Sequence, residues 1–409
     1  MCVHRTSEGT PVRIALLEWS CGGGLLDTAA GHASQNLSAE GWQMLSRLAD
    51  GLAGAGLDVV VPVDLRAIPQ PALHARAHIV DISHLAPASS HAVQRRWAEI
   101  AAECEYVWVV APEIDGLLPR ILKGLQNEGN QLLNCRGEFL CKCSNKRSTA
   151  EALTAAGIPH PATTSLAELD ETWLAATALL GDSGSHIQAH QRWIIKPVAG
   201  AGGAGQRLVS HTQLLHIKHS LAAAESLPSS APPNTHSAES DSAADWLVQP
   251  WLSGQPASCT AIVDAQGERH WLPLVSQDFG TSSSAGEWTP SFIAGHGPTT
   301  LAPPYIGCTY PCAELPNTAP HALLDATLDA LGAGAYGPVG VDLLFDPIAD
   351  TWTVIEVNAR CTSSLLAIAS AYRGNLVADI FQLLTRTCNT SAAGLSGDLS
   401  PFQFRVAQV

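Results

Sequence analysis

The chain has 409 residues, more than one ordinary core encloses, so two or three domains sharing interfaces are expected. Apolar residues make up 46% of it and charged residues 14%, which excludes wholesale disorder and leaves a soluble globular protein. The formal charge of −15, with no long acidic run, disfavours nonspecific attraction to nucleic acid or an anionic membrane, so neither is expected as a partner.

Arg13–Leu17 reads as a first strand, followed by the Gly22-Gly23-Gly24 turn, a helix over 38–54 and a second strand at Leu57–Val63. A helix over 88–103 leads into the strand Tyr106–Val110; Gly116–Leu125 is a short helix and Gln131–Leu133 a fourth strand. Short apolar strands alternating with helices predict a parallel α/β unit over residues 1–135.

A helix over 146–156 stops at Gly157-Ile158-Pro159. Trp193–Lys196 is a strand that runs into the glycine-rich loop 199–205, with no clear helix after it. Residues 222–244 are serine, alanine and proline with little to pack, and read as a mobile insertion. Order returns with Trp246–Gln249, which closes a second unit over 136–250. In the third unit, 251–409, Ala257–Val263 and Trp271–Val275 suit an antiparallel sheet, and 278–313 reads as a long loop over a site. A helix around 319–331 precedes the strands Val339–Phe345 and Thr351–Val357, joined by a turn at 346–350, and 375–386 is a final helix.

Residues 1–12 lack the apolar segment of an export signal, and no run approaches the roughly twenty apolar residues that span a bilayer. Eleven cysteines in so long a chain fit free thiols in a reducing cytoplasm. Cys135, Cys141 and Cys143 form one C-x-C pair without a second pair or a well-spaced histidine, so they read as ordinary cysteines rather than a zinc site.

Strand alternation puts Val339, Val341, Leu343 and Phe345 on one face with Asp342 on the other. In the next strand Val354, Glu356 and Asn358 are expected to point one way, and Ile355 and Val357 the other. Paired as a hairpin, the two strands bring Asp342, Glu356 and Asn358 together. Two carboxylates and an amide oxygen are hard ligands suited to Mg²⁺ that also holds phosphate oxygens. Isolated acids on a strand more often decorate a solvated face; Arg360, continuing the alternation, favours a site. Lys196 ends an apolar strand just before a loop carrying Gly200, Gly202, Gly203 and Gly205, where its ammonium can face phosphates. The loop fits neither the G-K-[ST] phosphate loop nor the dinucleotide fingerprint. Lys146 and Arg147 open a helix; Arg147 reads as a solvated surface charge.

Taken in order, Asn145-Lys146, Ile195-Lys196-Pro197 with its loop, Leu247–Gly254, Gly340–Leu343 and Ile355–Arg360 resemble the motifs of the ATP-grasp ligases. The resemblance implies an ATP-grasp fold with an N-terminal pre-ATP-grasp domain. It implies that Lys146, Lys196, Gly200, Gly202 and Gly203 contact ATP phosphates, and that Gln249, Pro250, Trp251 and Leu252 form the hinge at adenine. Asp342, Glu356 and Asn358 would hold Mg²⁺, with Mn²⁺ as a substitute, and Lys196 and Arg360 would be catalytic, Arg360 steadying an acyl phosphate or carboxylate. Within the superfamily the chain is most similar to the ligases joining glutamate to tyramine in methanofuran synthesis, through LLEWSCGGG at 16–24, APEIDGLL at 111–118 and EVNARCTSS at 356–364. This implies a cytoplasmic ADP-forming carboxylate–amine ligase of methanofuran- or methylofuran-type C1 cofactor synthesis, with small-molecule acid and amine substrates and a homodimer as one assembly. The α-amino acid glutamate would be the acid, tyramine or tyrosine the amine, and Trp288, Phe292 and Tyr305 could pack its ring. A peptide or polyglutamate ligase with another acceptor, and a non-catalytic ATP-binding protein, remain alternatives. Three positions depart from the pattern: Ala359 replaces a proline, Gln249 and Gln255 replace hinge acids, and the 222–244 insertion has no counterpart.

Overall fold

The computed structural model describes residues 11–25, 32–85, 90–127, 131–180, 192–200, 203, 205–225, 242–280, 300–316, 319–386, 395 and 398–406. The N-terminal part runs β1 (Arg13–Glu18), α1 (His32–Gly54), β2 (Asp58–Val63), β3 (Ala77–Asp81), α2 (Ser90–Ala101), β4 (Tyr106–Val110), α3 (Leu117–Asn127) and β5 (Gln131–Leu132). Its strands are all parallel, in the order β3-β2-β1-β4-β5. The apolar run in β1 has a use on each face: Ile14 and Leu16 pack under Leu45, Leu48 and Leu52 of α1, while Ala15 and Leu17 pack on the other side with Trp97 and Leu118. A strand covered on both faces shows no polar alternation. β3 is the edge strand and is half-exposed, which is why it carries no apolar run to mark it as a strand.

The middle of the chain contains α4 (Gly137–Cys143), α5 (Lys146–Ala155), β6 (Thr164–Ser165), α6 (Glu171–Leu180), β7 (Arg192–Pro197), β8 (Arg207–Ser210), α7 (His211–Glu225) and β9 (Trp246–Pro250). The rest contains β10 (Gln255–Val263), β11 (Arg269–Trp271), β12 (Val275–Phe279), β13 (Thr300–Leu301), β14 (Tyr305–Tyr310), α8 (His321–Ala330), β15 (Gly337–Asp346), β16 (Thr351–Asn358), α9 (Ser363–Ala371), α10 (Leu376–Thr385) and β17 (Phe402–Arg405). β13, β8, β7, β9 and β6 make a small antiparallel sheet, and β16, β15, β10, β12, β14 and β17 a larger one with β11 beside β10. The small sheet has its own core of Trp193, Ile195, Val209, Leu214, Trp246 and Val248. The larger sheet shares both of its clusters with the N-terminal sheet: Val339 and Val341 join Ala15 and Val107, and Ile262 joins Ile14 and Val59. No helix among the described residues is long and apolar enough to cross a membrane.

Several sequence expectations need correction. The segment 278–313 is not one long loop, because β12 ends inside it and β13 and β14 lie within it. β14 pairs with β12 and with β17, some hundred residues away, and such long-range pairing leaves no local trace. Trp288 and Phe292 lie outside the described residues. Trp271–Val275 is not a single strand: Pro273 has no N–H for a ladder, and β11 and β12 fall on either side of it. After the glycine-rich loop come a strand and a helix, β8 and α7. The 222–244 segment is ordered at both ends. α7 extends to Glu225, and the 3₁₀ turn Ala243–Asp245 buries Ala243 in the small core, while 226–241 lies outside the described residues. Arg147 is no free surface charge, since its guanidinium donates to the Ala244 carbonyl and lies 3.8 Å from Glu168.

Candidate functional site

β15 and β16 form the expected hairpin, with Asp342 directly opposite Glu356 and Gly340 opposite Asn358. The register shifts by one between Asp342 and Leu343. That bulge turns Val354 into the core beside Val357, not to the side of Glu356 as strict alternation predicts. The consequence is an apolar reverse side of Val339, Val341, Leu343, Val354 and Val357 that holds the three polar groups up on the other side. Gly340 is required here, because a Cβ would meet Cγ2 of Thr362 at 2.6 Å.

Asn358 Nδ2 donates to Asp342 Oδ2 at 3.2 Å, and Gln277 Nε2 of β12 donates to Asp342 Oδ1 at 2.9 Å. Gln277 falls between the strand expected at Trp271–Val275 and the loop expected from 278, so the sequence assigned it no role. Lys146 arrives from the start of α5, which Asn145 caps by accepting from Ser148 N at 3.0 Å. Its Nζ sits 2.7 Å from Glu356 Oε1 and donates to the Gly200 carbonyl. At this position the glycine-rich loop therefore offers the site a carbonyl oxygen. Gly203 turns with φ +75, and Gly202 lies outside the described residues.

Lys196 is 5% exposed at the end of β7, whose neighbour β9 carries Gln249. Burial, opposed by Glu356 and reinforced by Lys146, lowers the Lys196 ammonium to about 8. At Glu356 burial acts to raise the pKa, yet Lys146 and Lys196 outweigh it and hold the carboxyl below its usual range. Asp342 has no lysine of its own; burial first, and Glu356 second, push it up to about 7. Two facing carboxylates, Asp342 penalised by Glu356 and without a lysine of its own, form with the amide beside them a hard oxygen set. Such a set fits a divalent cation.

Lys146, Lys196, Gln249 and Glu356 line one cavity of ≈ 20 Å³ together with Cys143, Thr149 and His160. A larger cavity, ≈ 420 Å³ and bounded by Trp271, Tyr310, His321 and Tyr372, contains none of the expected site residues. In the segment expected as the hinge, Gln249 is buried and its amide donates to Thr163 Oγ1 at 2.8 Å, a tie the sequence did not reveal. Trp251 is exposed and its N–H bonds the Arg192 carbonyl at 2.9 Å; Pro250 and Leu252 are half-buried beside it. Arg360 follows β16 and places Nε 2.8 Å from Glu113 Oε2. Glu113 comes from the loop after β4, at the carboxyl end of the parallel sheet where such folds present ligand-binding groups. An acid three residues past the end of an apolar strand was the available signal for it. The Gly22-Gly23-Gly24 turn also lies at that edge, and its Gly22 carbonyl accepts from Trp97 Nε1 at 3.0 Å. Tyr305 points its hydroxyl into the protein, where burial raises its pKa, and its ring meets Phe279 edge-on at 6.0 Å.

A parallel α/β sheet followed by two antiparallel sheets, with lysines and carboxylates converging from both, defines the chain as a mixed α/β protein of ATP-grasp architecture. Residues 143–364 match the ATP-grasp domain family and residues 57–138 the pre ATP-grasp 3 domain, so the chain belongs to the ATP-grasp family. Among solved structures it is similar to a putative ATP-grasp superfamily protein from Archaeoglobus fulgidus, with a TM-score of 0.55 and 15% identity over 97% of this chain and 100% of that one. It is also similar to N5-carboxyaminoimidazole synthetase from Staphylococcus aureus complexed with ADP, with a TM-score of 0.58 and 13% identity over 97% and 82%. The biotin carboxylase domain dimer of Hydrogenobacter thermophilus 2-oxoglutarate carboxylase, solved with MgADP and bicarbonate, has a TM-score of 0.57 and 12% identity over 93% and 71%. No curated protein matches the chain in sequence. At these identities the likeness is one of fold.

Proposed function

We propose that this protein is an ATP-dependent, magnesium-requiring ligase that joins a carboxylate to an amine through an acyl phosphate. The observation that carries this reading is the convergence of Lys146 and Lys196 on Glu356, directly opposite Asp342 and beside Asn358. Family membership and the ADP-bound relatives of the same fold support a nucleotide at these lysines. Asp342, Glu356 and Asn358 would hold Mg²⁺ or, in its place, Mn²⁺, which when bound neutralises charge on phosphate oxygens. Lys146 and Lys196 are fixed counter-charges for the transferring phosphoryl group. Gly200, Gly202 and Gly203 lie in the loop beside those phosphates, and Gln249, Pro250, Trp251 and Leu252 form the edge for adenine.

In the first step an oxygen of the substrate carboxylate attacks the γ-phosphorus, and the bond to the β-phosphate oxygen breaks to give ADP and an acyl phosphate. In the second an amine nitrogen adds to the acyl carbon and phosphate leaves, with loss of one proton from the amine. Arg360 holds the carboxylate or its acyl phosphate during both. Exclusion of water protects the acyl phosphate from hydrolysis. We take the acid to be glutamate and the amine tyramine or tyrosine, in synthesis of a methanofuran- or methylofuran-type C1 cofactor, on the motif resemblance at 16–24, 111–118 and 356–364. The test is ADP release from purified protein with ATP, magnesium and glutamate, with and without tyramine, tyrosine and other amines. Amide formation with an aromatic amine supports the full reading. Turnover only with a different acid or amine leaves the ligase and removes the substrates. Nucleotide binding without ADP release across all pairs removes the ligase.

A further inference from the structure

The Glu113–Arg360 pair bridges the parallel sheet and the metal-site hairpin, 247 residues apart in sequence. Glu113 is 6% exposed, and its Oε2 accepts from Arg360 Nε at 2.8 Å. Its other oxygen, Oε1, is buried and has no hydrogen-bond partner among the described residues. A buried carboxylate kept for purely structural reasons normally satisfies both oxygens. This one spends all of its bonding on a single arginine. The guanidinium is fixed from a second side, where Nη1 donates to the Cys361 carbonyl at 3.1 Å. Nη2 makes no bond to any described residue, yet it is not among the buried unpartnered atoms, and the side chain keeps 16% of its surface exposed. The two anchors thus leave one N–H edge of a planar fork reachable from outside the protein. Glu356 of the hairpin and Glu40 of α1 both contribute to the field on the same guanidinium, so the group lies within electrostatic reach of the hairpin.

We propose that Glu113 is a positioning residue that holds Arg360 so that its Nη2 edge receives a planar oxyanion of the substrate, a carboxylate or its acyl phosphate. The proposal rests on the ligase reading above. Geometry is what a guanidinium offers over an ammonium, since its N–H groups are fixed in one plane and meet an oxyanion only when that plane is correctly turned. Without Glu113 the arginine keeps its charge but loses that orientation.

The test is steady-state ADP release at saturating Mg-ATP with the acid substrate varied, in wild type, Glu113→Ala and Glu113→Gln, with melting temperatures of all three. Glu113→Ala should raise KM for the acid by about tenfold or more while KM for ATP stays within about twofold. Glu113→Gln, whose amide oxygen still accepts from Nε, should return the acid KM to within about threefold of wild type. An unchanged acid KM in Glu113→Ala overturns the proposal. So does a parallel rise of both KM values, or equal damage in Glu113→Gln, since a merely structural pair gives those results. If the wild type releases no ADP with any acid, the ligase reading fails. Calorimetric titration of the Mg-ADP-loaded proteins with glutamate then decides this proposal alone. Weaker binding to Glu113→Ala supports it, and equal or absent binding overturns it.

Discussion

Lys196→Met separates the two things a buried lysine does. The side chain is 5% exposed and its ammonium titrates at about 8, against 10.5 for a free lysine. That difference of about 2.5 pH units corresponds to roughly 3 kcal/mol by which the folded protein disfavours the charged form, at about 1.4 kcal/mol per pH unit. The value already contains the attraction of Glu356, so it is the net burden of holding the charge there. Methionine fills a similar volume without a charge. Lys196→Met should therefore be more stable than wild type without nucleotide at pH 7, by an amount on the order of 1–3 kcal/mol. The folded pKa is the lower one, so between about pH 8 and 10.5 the unfolded chain binds more protons and wild-type stability rises with pH. The gap to the variant is thus full below about pH 8 and closes by about 10.5. Adding Mg-ATP reverses the order. Wild type gains stability from bound nucleotide, whereas the variant has lost a charge-assisted contact worth about 2–4 kcal/mol of nucleotide affinity. Thermal or urea denaturation at pH 7 and pH 10, with and without Mg-ATP, reads all of this. A nucleotide-free variant less stable than wild type, or one that keeps the full Mg-ATP stabilisation, refutes the reasoning.

Asp342→Asn and Glu356→Gln should each abolish ADP release, and near-normal turnover at saturating magnesium would remove them from the site; Glu356→Gln should also lower the melting temperature, because it takes the counter-charge from Lys146 and Lys196. Replacing residues 226–241 with a short Gly-Ser link should preserve fold and turnover, since loop-closure entropy changes only slightly with such a cut. Extending the cut through Ser242, Ala243 and Ala244 would remove the buried Ala243 and the Ala244 carbonyl held by Arg147, and should lower the melting temperature, which calorimetry measures. Gly340→Ala should destabilise the hairpin by about 1–3 kcal/mol through overpacking against Thr362, read as a lower urea midpoint.

Much of this protein was legible in the order of its residues. The apolar strands of the parallel sheet, the hairpin that pairs Asp342 with Glu356, and Lys146 and Lys196 at element ends all follow from local period and punctuation. Those signals survive because each element's pattern reflects burial on its own faces. Only the tertiary structure decided the rest. The bulge that turns Val354 into the core depends on how β15 meets β16, and no alternation rule contains it. β14 exists as a strand because β12 and β17 flank it, and Gln277 reaches Asp342 only within that sheet. Glu113 meets Arg360 because two sheets share their cores, bringing together residues 247 apart. Local sequence sets which faces are apolar; which polar groups then face each other is settled by long-range packing, whose energy no short window of sequence records.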